Sequence, residues 1–228
     1  MSVKDDLYSI LNDFGKETLQ IEFQNNINSS IPKIQEILSK TIERKYKQKY
    51  SNTNQNYNYK EKPLSLLCEA FLHFLLTATS LPSQRKVMLK DIEIDLVIPD
   101  LKYLHKYPNK SLIIKFDRGT AIRDYIDKLH NTISINKENL WIISVNPLNI
   151  DYRNYVIYKN NKDEDQNIFI DNYNTDKISN KRNEKSNGII NNNNMQKINS
   201  NVIPFFNILV DIDKFLKDIN HKGLKLVT

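Results

Sequence analysis

Apolar residues recur along the chain at two spacings, one typical of helices and the other typical of strands. Helical spacing appears over 4–14 and again over 32–46, which predicts two separate N-terminal helices. A strongly apolar stretch over 63–80 predicts a longer helix, in which Glu69 is the only charged residue when histidine is counted as neutral. The chain therefore opens with two predicted helices, followed by an apolar helix whose leucines and phenylalanines face a core.

Two strands with alternating apolar residues are predicted at 84–89 and 92–98, and a tight turn near Lys90–Asp91 joins them. After a loop that contains the sequence PDLKYLHKYPNK, a third strand is predicted at 111–117. Each strand follows the previous one closely in the chain. We expect the three strands to pair in sequence order, as a meander.

The remaining core elements are one helix and several apolar runs. Helical spacing predicts a helix over 119–131. The run LWIISVNP at 140–147 is apolar almost throughout, which indicates a strand that is buried on both faces beside the meander. Further strands are predicted at 155–159 and 202–210, and Asp211 is expected to cap a final helix.

Composition divides the chain into four predicted parts. Residues 160–201 are crowded with asparagine and lack sustained periodicity, so they cannot bury enough apolar surface to offset the entropy of ordering. The predicted parts are an N-terminal helical extension (1–50), a linker (51–62), an α/β core (63–159 and 202–228) and a disordered Asn-rich insertion (160–201).

Charge and cysteine content narrow the class of protein. The formal net charge of +6 is compatible with a nucleic-acid partner. The single cysteine, Cys68, excludes an internal disulfide, and the four histidines show no zinc-site spacing. The first residues form no signal region, and the apolar stretch over 63–80 falls short of a comfortable membrane span. A cytoplasmic protein without membrane contact is expected.

A basic run with interleaved tyrosines, ERKYKQKY at 43–50, follows the second predicted helix. Lysine and arginine suit phosphate contact, and tyrosine suits base stacking. The candidate nucleic-acid-binding residues are Arg44, Lys45, Lys47 and Lys49. A solvated basic linker is the alternative interpretation of the same run.

Two predicted strands place charged side chains on one face of the sheet. In the second strand, Glu93 and Asp95 alternate with Ile92, Ile94, Leu96 and Ile98, which are expected to share the opposite face. In the third strand, Lys115 shares a face with Ile113 and Asp117. If the two strands pair, a carboxylate row and a lysine meet, close to the helix that carries Glu69.

Together, the helix with Glu69, the sequence EIDLVIP with Asp95 and the sequence LIIKF with Lys115 resemble the PD-(D/E)xK nuclease superfamily. The resemblance covers about residues 63–146. It implies a restriction-endonuclease-like αβββαβ core, with a mixed sheet flanked by helices. It also implies that Asp95 binds metal, that Lys115 orients or activates the attacking water, and that Glu69 assists. Phosphodiester hydrolysis of DNA by such a site requires Mg²⁺, which prefers hard oxygen ligands.

One position departs from the pattern of that superfamily. The residue two before the lysine is normally Asp or Glu, and here it is Ile113, which cannot bind Mg²⁺. Glu93 could supply a second metal ligand beside Asp95, and Asp124 or Asp127 on the following helix are further candidates. We therefore expect weak or absent Mg²⁺-dependent cleavage, with nucleic-acid binding retained.

The same residues also have ordinary interpretations. Asp95 could lie on a solvated strand face, Lys115 could protect an edge strand from aggregation, and Glu69 could lie on a helix surface. The alternative function is then a non-catalytic α/β protein-interaction or assembly module, which acts in a homodimer or a protein complex. An unrelated α/β interaction domain is a third hypothesis.

Overall fold

The computed structural model describes residues 3–47, 58–119, 121–157 and 201–224. Nearly all of the predicted Asn-rich insertion lies outside these residues, as does most of the predicted linker. The boundaries of the four predicted parts therefore stay a prediction.

Three helices precede the predicted core: α1 (Val3–Asp13), α2 (Lys16–Asn25) and α3 (Ser30–Lys47). Helix α2 was not predicted, because it buries only two residues, Leu19 and Phe23, and so has a weak apolar stripe. Gly15 separates α1 from α2. Its backbone is left-handed (φ 74°), a conformation that residues with a Cβ atom rarely adopt.

The long apolar helix α4 (Asn58–Ala78) begins five residues earlier than the sequence predicted, and Pro63 lies within it. Pro63 is the sixth residue of the helix, and because it has no amide hydrogen it cannot donate a helical hydrogen bond to the carbonyl four residues earlier. The helix packs against α1 and α2, and its apolar residues join the N-terminal helices to the sheet.

Six strands form a single mixed sheet in sequence order: β1 (Gln84–Leu89), β2 (Ile92–Ile98), β3 (Leu112–Phe116), β4 (Leu140–Ser144), β5 (Arg153–Val156) and β6 (Val202–Pro204). Strands β1 to β3 pair antiparallel, which confirms the predicted meander. Strands β3 to β6 pair parallel, which confirms the expectation that the 140–147 run is a buried parallel strand.

Helices cover both faces of the sheet. Helix α4 and α7 (Ile208–Leu224) pack into one cluster of buried residues, the α4-side core, together with the N-terminal helices. Helices α5 (Leu101–Lys106) and α6 (Ile122–Thr132) pack into a second cluster, the α6-side core. The order α4, β1, β2, β3, α6, β4 is the predicted αβββαβ core. None of the helices in the described ranges is long and apolar enough to cross a membrane.

Two secondary-structure predictions were wrong. The sequence PDLKYLHKYPNK was predicted as a loop, but it contains helix α5, which Asp100 caps by accepting a hydrogen bond from the Tyr103 amide at 2.8 Å. The strand predicted over 202–210 ends at Pro204, and α7 begins at Ile208. The apolar run there has helical spacing, so Asp211 lies in the first turn of α7 and not at its cap.

The prediction that the apolar residues of strand β2 all share one face of the sheet was also wrong. Ile92 and Ile94 pack in the α6-side core, whereas Leu96 and Ile98 pack in the α4-side core. The change of side coincides with Lys86 on the neighbouring strand, whose positive φ (48°) interrupts the extended geometry. Asp95 lies at this change of side and is fully buried.

Candidate active site: a buried ion-pair cluster

The structure brings Glu69 of α4, Asp95 of β2 and Lys115 of β3 into one cluster. The Lys115 Nζ atom lies 3.1 Å from Asp95 Oδ2. Glu69 and Asp95 are only 1% and 0% exposed, so neither is the surface carboxylate of the alternative interpretation. Burying a charged group is costly unless it is paired, so both carboxylates require cationic partners.

Arg118, which the sequence analysis did not single out, joins the two carboxylates. One of its terminal nitrogens lies 2.5 Å from Glu69 Oε2, and the other lies 2.9 Å from Asp95 Oδ1. Arg85 of β1 binds the other oxygen of Glu69 at 2.8 Å. Both oxygens of Glu69 are therefore held by guanidinium groups.

The backbone of β3 and its following turn positions this cluster. The amide of Phe116 donates a hydrogen bond to Asp95 Oδ2 at 2.9 Å. Asp117 accepts a hydrogen bond from the Gly119 amide at 3.0 Å, and Gly119 has a positive φ of 79°. This turn holds Arg118 close to the end of the strand, so Asp117 shapes the site without being one of its carboxylates.

Tyr125 of α6 covers the lysine. Its ring centroid lies 4.5 Å from Lys115 Nζ, within the range of a cation–π interaction. Among the described residues, its buried hydroxyl has no hydrogen-bond partner. Burial, followed by the negative charges of Asp95 and Glu93, raises the pKa of Tyr125.

The electrostatics agree with a charged cluster. Burial tends to raise the pKa of Glu69, but hydrogen bonds from Arg85 and Arg118 outweigh it, and the net effect lowers that pKa. Burial opposes the charge of Arg118, yet Asp95 and Glu69 raise the pKa of its guanidinium. Carboxylate and guanidinium thus stabilise one another's charged forms.

The candidate carboxylates named to replace the missing ligand lie outside the cluster. Glu93 is exposed and forms none of the ion pairs described above. On α6, Asp124 and Asp127 are both exposed, and the side chain that faces Lys115 is Tyr125. Ile113 is fully buried in the α6-side core.

The cluster does not fit Mg²⁺ in this arrangement. Within the ranges that the structure describes, no three His, Cys, Asp or Glu side chains are grouped so that they could hold a metal ion. The Asp95 and Glu69 oxygens that could have faced a cation are already in contact with Arg118. The metal-binding roles predicted for Asp95, Glu69 and Glu93 stay a prediction.

The basic run at 43–50 cannot be assessed in the same way. Arg44, Lys45 and Lys47 lie on helix α3, but their side chains are outside the part of the chain that the structure describes. Lys49 lies outside the described residues altogether. Their predicted contact with nucleic acid stays a prediction.

A second basic surface is formed by α5 and the turn that follows it. Tyr107 is 38% exposed, and the Lys106 and Lys110 Nζ atoms lie 5.0 and 5.7 Å from the centroid of its ring. Lys102 is exposed on the same helix. Among the described residues, no carboxylate lies within 4.0 Å of these three lysines. We call these four residues the α5 basic surface.

Comparison with known proteins places this arrangement in a fold class. The chain has a restriction-endonuclease-like fold, as predicted, with a mixed sheet flanked by helices. Among solved structures, it is similar to the restriction endonuclease PspGI in a complex with substrate DNA, with a TM-score of 0.52 and 13% sequence identity. The similarity covers 96% of this chain and 94% of the PspGI chain. No protein-family model and no curated protein matches the sequence.

Proposed function

We propose that this protein binds DNA through its restriction-endonuclease-like fold and does not cleave DNA with Mg²⁺. The observation that supports the second half is the contact of Arg118 with both Glu69 and Asp95. A guanidinium group between two carboxylates takes the place that a divalent cation needs, and together with Arg85 and Lys115 it compensates their charge.

The chemistry of Mg²⁺ supports this proposal. The ion requires near-octahedral oxygen coordination and commonly takes one or two carboxylates together with substrate phosphate and water. To supply those ligands, the cluster would have to separate Arg118 from two buried carboxylates, each within 2.9 Å or less. Ile113, at the position of the missing ligand, offers no oxygen in compensation.

Binding to DNA is supported by charge and by fold. The similar protein PspGI forms a complex with substrate DNA. The net charge of this chain is +6. The α5 basic surface offers lysines that no described carboxylate neutralises, beside an exposed tyrosine ring. Such lysines bind phosphates and release condensed counterions.

The binding test is fluorescence anisotropy of the full-length protein with labelled duplex, branched and single-stranded DNA. Affinity should fall as the salt concentration rises, and Mg²⁺ should not strengthen binding relative to EDTA. Changing Lys102 and Lys106 to glutamate should weaken binding and reduce the salt dependence. Lys90→Glu combined with Lys214→Glu, at two exposed positions outside the α5 basic surface, is the matched control because it changes the net charge equally, and it should leave the affinity close to wild type. Absence of binding to every DNA at low salt would refute the proposal.

The cleavage test uses the same DNA substrates with Mg²⁺ or Mn²⁺. The wild-type protein should show no more cleavage than an Asp95→Ala variant. Robust cleavage that the Asp95→Ala change abolishes would show that a catalytic site forms despite Arg118. An Ile113→Glu variant is a poor test, because Ile113 is fully buried and a carboxylate there would destabilise the α6-side core.

A further inference from the structure

A cavity of about 550 Å³ lies between the N-terminal helices, α4 and strand β1. Its size falls within the range of small-molecule sites, and its surface is predominantly apolar. The apolar lining residues are Leu7, Leu11, Leu66, Ala70, Phe74 and Ala78. The predicted N-terminal extension therefore forms one wall of a ligand-sized space.

Charged groups in the cavity are predominantly positive. Lys16, Arg85 and Lys86 line it, and Glu69 is the only carboxylate among the described lining residues. Glu69 is already neutralised, because Arg85 and Arg118 hold its two oxygens at 2.8 and 2.5 Å. A ligand in this cavity would therefore meet an excess of positive charge.

Two buried nitrogen atoms at the cavity have no hydrogen-bond partner among the described residues. They are His73 Nδ1 and Arg85 Nε. Arg85 donates to Glu69 through one terminal nitrogen, so its remaining terminal N–H groups are available to a ligand. Both nitrogen atoms lie beneath the cavity surface, so an anionic group in the cavity would be bound by the terminal N–H groups of Arg85.

We propose that this cavity binds an amphipathic organic anion, that is, an apolar chain or ring that carries one carboxylate or phosphate group. The anionic head would accept hydrogen bonds from the terminal nitrogens of Arg85 and would lie near Lys16 and Lys86. The apolar body would pack against the leucines and Phe74 of the cavity wall. Arginine recognises both kinds of head group, because its planar fork matches either one.

This inference is independent of DNA binding and of catalysis. It depends on the shape and charge of a cavity that lies beside the ion-pair cluster, and Arg85 belongs to both. A protein that fails to bind DNA could still bind the ligand, and the reverse also holds. The two proposals are therefore refuted by different measurements.

The direct test is calorimetric titration of the full-length protein with single-chain probes. Octanoate and octyl phosphate supply the two head groups on the same chain, and the stronger of the two identifies the preferred head. Octyltrimethylammonium has the chain with the opposite charge, and acetate has the charge without the chain. We expect saturable binding of one octyl anion per chain, with the cation and acetate at least about tenfold weaker.

Variants test whether binding occurs in this cavity. Ala70→Trp places an indole among the apolar walls and should abolish binding, whereas Met88→Trp, at a position 54% exposed on β1, should not. Lys16→Glu should weaken binding about tenfold, and Lys90→Glu, an exposed lysine outside the cavity, should have no effect. Because Lys16 is only half-buried and lies in the first turn of α2, where a carboxylate is favourable, Lys16→Glu should fold and remains informative if Ala70→Trp does not.

Three results would overturn the proposal. They are no saturable binding of either octyl anion, equal binding of octyltrimethylammonium, and unchanged binding in Lys16→Glu. The second would indicate an apolar groove without charge selection, and the third would place the anion elsewhere on the protein.

Discussion

Replacing Arg118 with alanine is the sharpest perturbation of the candidate site. The change removes the guanidinium group that lies 2.5 Å from Glu69 and 2.9 Å from Asp95. Glu69 would retain Arg85 at 2.8 Å, and Asp95 would retain Lys115 at 3.1 Å and the Phe116 amide. Each buried carboxylate therefore loses one cation and retains another.

The expected magnitude follows from these remaining contacts. Removing one partner of a buried ion pair typically costs about 3–5 kcal/mol, because the other charge stays buried without compensation. Because each carboxylate retains one partner, we expect Arg118→Ala to lower the free energy of unfolding by an amount near the lower end of this range, about 3 kcal/mol. For a chain of this length, each 1 kcal/mol corresponds to roughly 2–4 °C in the melting temperature. We therefore expect Tm to fall by roughly 6–12 °C.

The assay is urea or thermal unfolding followed by circular dichroism, with and without Mg²⁺ or Mn²⁺. In Arg118→Ala, two buried carboxylates face a space that no cation fills, so a divalent ion should bind there and stabilise the variant. At a metal concentration ten times the dissociation constant, the gain is about 1.4 kcal/mol. The wild-type protein should show no such gain, because its guanidinium group already fills the site.

Arg123→Ala is the matched control. Arg123 is exposed on α6 and donates one hydrogen bond to the Asn149 carbonyl at 3.2 Å, so its removal should change stability little. Our account of the cluster is wrong if Arg118→Ala is as stable as this control. It is equally wrong if Mg²⁺ or Mn²⁺ stabilises the wild-type protein as much as the variant.

Three further changes test neighbouring contacts. Because the folded pKa of Glu69 lies below its usual 4.5, its stabilising contribution is present above that value and is lost as the pH falls through the folded pKa. Urea unfolding from about pH 6 to about pH 3 should therefore show a smaller loss of stability in Glu69→Gln than in wild type. Tyr125→Phe should leave the unfolding free energy unchanged or raised by up to about 1 kcal/mol, because the removed hydroxyl is buried without a partner; a clear loss would contradict this. Asp211→Ala should cost about 1.5–3 kcal/mol in urea unfolding, since Asp211 accepts a 2.6 Å hydrogen bond from the buried Tyr155 hydroxyl. An unchanged midpoint would show that this contact does not hold α7 to the sheet.

The central strands could be predicted because their patterns are local and strong. Alternation over 84–89 and 92–98 gave both strands of the hairpin with their observed bounds. The apolar run that begins at Leu140 correctly indicated a parallel strand with two covered faces. The hairpin strands leave alternating residues in the sequence, whereas β4, which is covered on both faces, leaves a continuous apolar run.

Other elements could not be predicted because tertiary contacts define them. Helix α2 buries two residues against α4 and carries little apolar signal of its own. Helix α5 is a short helix within a polar segment, stabilised by the Asp100 cap and by packing of Leu104. The change of side at Asp95 coincides with the positive φ of Lys86 on the neighbouring strand, and no pattern within β2 encodes it.

The sequence predicted those residues of the candidate site that lie on strands and helices, but not the one that lies in a turn. Periodicity placed Asp95 and Lys115 on neighbouring strands, and the isolation of Glu69 within an apolar helix suggested a special role. Arg118 follows the end of β3 in a turn, where side-chain direction depends on Asp117 and Gly119 and not on a period. A charge argument could have found it, since two carboxylates in apolar elements require cations nearby.

The same charge argument explains how the departures in the sequence fit together. A buried pair of carboxylates must be compensated by bound metal, by protonation or by fixed cations. Here Glu69 and Asp95 meet Arg85, Lys115 and Arg118, so the cluster is compensated, with one positive charge in excess, by side chains alone. Isoleucine at position 113 removes a negative ligand, and Arg118 supplies a cation in contact with both remaining carboxylates. Both features make the site less favourable for a divalent cation, so the loss of one carboxylate and the presence of one arginine have the same chemical consequence.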